Sequence, residues 1–145
     1  MRPVIDLLPH RPPWSLVDKI VSADGATVVA EKRVTLGDPL LGAGGLGGPL
    51  AIEALAQAAA CLVGLRAEGA SGHRGYLVAA RGWKFPSVAR PGETVTLTAT
   101  KVSELGALHG FEASARVGER EIASGAMTFA VTFDGARDGA RVGGA

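Results

Sequence analysis

One segment limits what this chain can become more than any other. Residues 50–66 mix leucine, isoleucine and valine with many alanines, so helix propensity is high and apolar side chains fall on every face. Pro49 suits the first helical position, and Gly69 lies near the expected end. A helix that is apolar all round must be wrapped by other structure, and the remaining long segments read as strands. The alanines at 54, 56, 58, 59 and 60 would let a sheet approach closely.

The strands follow from local pattern. Residues 3–8 suit a short helix, stopped by Pro9-His10-Arg11-Pro12-Pro13. Residues 14–21 and 26–34 read as strands joined through Ser22-Ala23-Asp24-Gly25, where Asp-Gly signals a hairpin. A glycine-rich loop fills 37–48. Beyond the helix, a polar loop containing His73 leads to strands at 75–85, 93–102, 110–116 and 121–133. Residues 134–145, rich in Gly, Ala and Arg, read as a frayed tail, which leaves 1–133 as one domain. The order β-β-α-β-β-β-β predicts an α+β fold, an antiparallel sheet curled around one buried helix.

Composition removes several function classes. A formal net charge of +1 argues against nucleic acid or a membrane surface as the main partner. The apolar stretch 50–65 carries Glu53 and Gln57 and reads as short for a bilayer span, and the amino terminus lacks a signal pattern, so a soluble cytoplasmic protein is expected. Cys61 stands alone and reads as a small buried hydrophobe in a reducing compartment. One cysteine and three scattered histidines give no metal-ligand spacing, and no Lys-Ser/Thr follows the glycine run, so neither metal nor cofactor is expected.

Three stretches then carry a resemblance. LLPHRPPWSLVDKIV, AIEALAQ and WKFPSVARPGETVTL are similar, in order, to segments of small bacterial 3-hydroxyacyl-acyl-carrier-protein dehydratases. The resemblance implies the hotdog fold, dimerised edge to edge, and an acyl-carrier-protein or CoA thioester as substrate, dehydrated to the enoyl thioester. One departure matters. The family's catalytic histidine sits in a Gly-His-Phe-Pro segment before the helix glutamate, and here residues 38–48 hold no histidine. A divergent subgroup, the dehydratase-like proteins of aryl-polyene pathways, resembles the chain at least as well in lacking that segment. In the resembled dehydratases, one subunit's histidine meets the other's acid, so either a homodimer or a heterodimer with another hotdog subunit is implied.

Four residues are candidates for the site. Glu53 and Gln57 are one helical turn apart and share a face of an otherwise apolar helix. An unpaired carboxylate is costly to bury, so Glu53 points to acid–base work; the alternative is a solvent-facing or arginine-paired glutamate. Gly48 matches the family glycine whose N–H holds the thioester carbonyl, the alternative being a glycine that serves only a tight turn. His10 can act as acid or base near neutral pH; the alternative is a histidine that fixes the amino-terminal segment. His73 and His109 read as solvated. Two further functions stay open: a hotdog acyl-thioester hydrolase, weakened by Leu46 where such enzymes often have a histidine, and a non-catalytic acyl-binding partner subunit.

Overall fold

The structure, a computed structural model, describes residues 2–66 and 73–133. The elements run α1 (Val4–Leu7), β1 (Lys19–Asp24), β2 (Thr27–Arg33), α2 (Pro49–Arg66), β3 (His73–Lys84), β4 (Thr94–Leu105), β5 (Leu108–Val117) and β6 (Arg120–Phe133). The strands form one antiparallel sheet in the order β1-β2-β4-β5-β6-β3. It rolls around α2, as the helix's apolar faces require. The expected tail 134–145 and Gly69 lie outside the described residues.

Alternation along each strand shows why the sheet can come close. Val28 and Ala30 on β2, Val95, Leu97 and Ala99 on β4, and Phe111 and Ala115 on β5 are buried, with more exposed residues between them. Small residues meet across strands, Ala99 opposite Ala113 and Ala115 opposite Ala123, so both sheet and helix present alanine where they touch. At 18 residues α2 is long and apolar enough to cross a bilayer, so the reading that it is too short does not hold. Instead, 56% of it is buried inside this chain. Cys61 is buried within it, and burial pushes its thiol up to about 12, which makes it a poor nucleophile.

Several boundaries differ from expectation, each for a physical reason. β1 begins at Lys19, not at residue 14. The stretch before it lies across α2, with Leu16 and Val17 buried; its backbone is satisfied by the Gln57 side chain instead of a ladder. β4 and β5 run on to Leu105 and from Leu108, closed by a two-residue turn with Gly106 at φ 60°. His73 opens β3 instead of sitting in a loop.

The loop before α2 is tied down at both ends. Lys32, buried on the inner face of β2, places Nζ 3.4 Å from Asp18 and 3.3 Å from Asp38. Asp38 Oδ1 accepts the Leu40 and Leu41 N–H groups at 2.9 and 3.1 Å. Burial pushes the Asp38 carboxyl up, but those N–H groups and Lys32 outweigh it and hold it below the usual range. At the far end, Leu46 and Ala89 exchange two backbone bonds of 2.8 Å. A Cβ at Gly45 (φ 76°) would stand 2.0 Å from Ala89 O, and one at Gly47 would stand 2.9 Å from Val88 Cγ2. At Gly45 and Gly47 the loop therefore lies too close to Val88 and Ala89 for a larger side chain.

Candidate active site

Glu53 stands on the second turn of α2 with its side chain 49% exposed, so on burial it follows the solvent-facing alternative and not the expectation of a carboxylate buried on an apolar helix. One turn on, Gln57 is buried and its amide is fully engaged. Its Oε1 accepts the Leu16 N–H at 2.8 Å, and its Nε2 donates to Trp14 O at 2.8 Å and to Glu53 Oε1 at 3.0 Å. Both amide hydrogens are therefore committed inside the protein. Gln57 fastens the amino-terminal segment to the helix and aims the carboxylate.

The same clamp delivers His10. With 14–16 tied to α2, the loop before them lies over the helix, and Arg11 donates to Leu8 O and His10 O, each at 2.8 Å. His10 Nε2 comes to 3.5 Å from Glu53 Oε1, while its buried Nδ1 has no hydrogen-bond partner. Three of the four expected residues thus meet in one place. They border a small groove between α2 and β3/β6, with Ala56 and Ala60 on the helix side and Leu77 and Phe129 on the sheet side.

Gly48 is not among the walls of that groove. It stands at the helix start with φ 55°, and its carbonyl accepts the Ala51 N–H at 3.0 Å and the Ile52 N–H at 3.4 Å. Its own N–H has no backbone acceptor among the described residues. Pro49 follows as the first helical residue, as expected.

His109 overturns its expectation. It is 8% exposed, on the inner face of β5. Burial, working against the Glu104 charge, lowers its pKa below the usual value and keeps the ring neutral. The signal that finds it is the two-residue alternation His109, Phe111, Ala113, Ala115, which puts it in register with the core. Among the described residues no group of His, Cys, Asp and Glu has the geometry to hold a metal.

A sheet rolled around one long helix, with a lone acid on that helix, is the build of hotdog-fold enzymes. Solved structures agree on the fold. The dehydratase heterocomplex ApeI:P from Xenorhabdus doucetiae aligns over 90% of this chain and 91% of its own, with TM-score 0.80 and 20% identity. A hypothetical thioesterase from Streptococcus pneumoniae, solved with coenzyme A, aligns over 79% of this chain and 85% of its own, with TM-score 0.62 and 15% identity. Fold alone therefore leaves dehydration and hydrolysis both open.

Sequence relatives separate them. The 3-hydroxyacyl-[acyl-carrier-protein] dehydratase FabZ of Chlamydia abortus is 37% identical, over 90% of each chain. FabZ of Streptococcus pneumoniae is 36% identical, over 87% of this chain and 93% of its own. Residues 2–135 match the family model described as ApeP dehydratase. The chain belongs to the ApeP-like dehydratases, and as such it is a lyase.

Proposed function

We propose that this chain dehydrates 3-hydroxyacyl thioesters, on an acyl carrier protein or coenzyme A, as the acid-bearing half of a hotdog pair. The observation that carries the reading is the position of Glu53. It is held by Gln57 at the head of an apolar groove, beside a loop that holds no histidine and has no room for one at Gly45 or Gly47. In this reaction a base takes the C2 proton, the C3–O bond breaks, and the hydroxyl leaves as water with a proton from an acid. Glu53 is that acid. Gln57 acts by positioning it, and Gly48 supplies an N–H for the thioester carbonyl, whose oxygen gains negative charge as the C2 proton leaves. The base comes from the loop of a second hotdog subunit.

A second reading has its own observation. His10 Nε2, 3.5 Å from Glu53, would put base and acid in one chain. The test is mass spectrometry of a 3-hydroxyacyl thioester incubated with the chain alone and with hotdog proteins encoded beside it. Enoyl product formed faster by roughly 10²–10⁴ in one mixed pair supports the partner base. Full turnover by the chain alone, abolished in His10→Ala, moves the base to His10. Free acid as product makes the chain a hydrolase, and no product in any mixture makes it a non-catalytic acyl-binding subunit.

A further inference from the structure

The inner face of β2 carries one residue out of keeping with its place. Val28, Ala30, Lys32 and Val34 alternate into the core, and Lys32 is 7% exposed while the other three are fully buried. Taking an ammonium group out of water is costly. A buried ion pair is also often no more stabilising than apolar side chains of the same volume. Stability alone therefore does not account for a lysine at this position.

What sets Lys32 apart is the two segments that it joins. Its Nζ lies between Asp18 Oδ1 and Asp38 Oδ2, at 3.4 and 3.3 Å. Asp18 ends the segment that crosses α2. Leu16, two residues before it, is tied to Gln57, and the same segment brings His10 to Glu53. Asp38 opens the glycine-rich loop. Its carboxylate accepts the Leu40 and Leu41 N–H groups, and its carbonyl accepts the Gly42 N–H at 2.8 Å. From there the loop runs through Leu46 to Gly48 at the head of α2. Lys32 itself is not among the walls of the groove at Glu53.

We propose that Lys32 is a positioning residue for dehydration, a staple that fixes the amino-terminal segment and the glycine-rich loop against each other and so sets Gly48 relative to Glu53. The proposal rests on the dehydratase reading, which gives Glu53 and the Gly48 N–H their roles. Most of the groove wall belongs to α2, β3 and β6, so without the staple a thioester should still bind. What shifts is the N–H that meets the charge developing on the carbonyl oxygen. A displacement of about 1 Å at such a group can cost on the order of 100-fold in rate. The signature is a lower kcat at little-changed KM, as for an interaction made in the transition state.

The experiment separates stability from turnover, with each variant paired to whichever hotdog partner gives enoyl product. Lys32→Met leaves the Asp38 side chain, 9% exposed, without its counter-ion, so the melting temperature should fall. Adding Asp38→Asn removes that charge and keeps an oxygen for the Leu40 and Leu41 N–H groups, so the melting temperature should rise back toward the parent's. In both variants kcat should stay about tenfold or more below the parent's, with KM little changed. Asp18→Asn opens the other arm at a side chain 45% exposed, where folding is not at stake, and should lower kcat in the same direction. Recovery of kcat together with the melting temperature in the double variant makes Lys32 a stabilising residue only and overturns the proposal. A change confined to KM, or an unchanged kcat in Asp18→Asn, overturns it too. If the parent chain gives no enoyl product with any partner, the dehydratase reading fails instead, and the staple is judged by hydrogen exchange. The Leu16 and Leu46 N–H groups, one on each segment and each hydrogen-bonded at 2.8 Å, should both exchange faster in the double variant; unchanged exchange at either one overturns the staple.

Discussion

At the scale of single residues, the proposed site turns on one carboxylate and the amide that aims it. Glu53→Gln is nearly isosteric at a half-exposed position, so the melting temperature should hardly move. Enoyl formation by the active pair should fall by about 100-fold or more, as expected for loss of a general acid. Gln57→Leu should behave differently. It keeps the volume but strands the buried Leu16 N–H and frees the part-buried Trp14 carbonyl, a cost of roughly 1–3 kcal/mol, chiefly for the unpaired Leu16 N–H, read as a lower denaturation midpoint. Because the Glu53 rotamer loses its holder, kcat should fall as well. The Glu53–Gln57 pair was legible in sequence because one helical turn separates the two. The use of Gln57 was not, since Leu16 and Trp14 stand 41 and 43 residues away and touch it only after folding.

At the scale of elements, hairpins and the helix were the legible parts. Asp24-Gly25 does turn β1 into β2, with Gly25 at φ 57° and Asp24 paired to Thr27. Strand starts were less so, because an apolar run such as 14–17 reads alike whether a ladder or a helix surface buries it. The turn Arg90-Pro91-Gly92 shows what charge adds. Glu93 accepts the Arg90 N–H at 2.8 Å and both Arg120 guanidinium nitrogens, at 2.6 and 3.0 Å, which joins this turn to the start of β6. Arg120 chiefly, with the Arg90 N–H, lowers the Glu93 carboxyl from 4.5 to about 2. A depressed folded-state pKa means that the unfolded chain takes up the proton first on acidification. The stabilisation is thus complete above 4.5 and is lost as pH falls toward about 2. Acid titration of stability should therefore be shallower in Glu93→Gln than in the parent chain across that window; equal slopes would mean that the fork contributes nothing measurable.

For the whole molecule, the open question is what completes the sheet. β1 and β3 are its two edges, and they are managed differently. β1 is short, bulged between Ile20 and Ser22, and carries Lys19 and Asp24, features that discourage pairing. β3 spans 12 residues and exposes Tyr76, Leu77 and Val78 in succession. A long apolar edge invites another strand. It also borders the groove, since Leu77 forms part of the wall, so a strand laid along β3 would stand beside Glu53's own cavity. Pairing along β3 would thus couple assembly to the proposed catalysis. Val78→Lys places a charge on the edge at a side chain that is 55% exposed, so the single chain should fold with little change in stability. Light scattering should show the parent chain associated and the variant monomeric at micromolar concentration. The variant should also lose enoyl formation with every hotdog partner, although Glu53, Gln57 and His10 are untouched. A monomeric variant that kept full turnover would place all of the catalytic groups within one chain, and the partner base would have to be abandoned for His10.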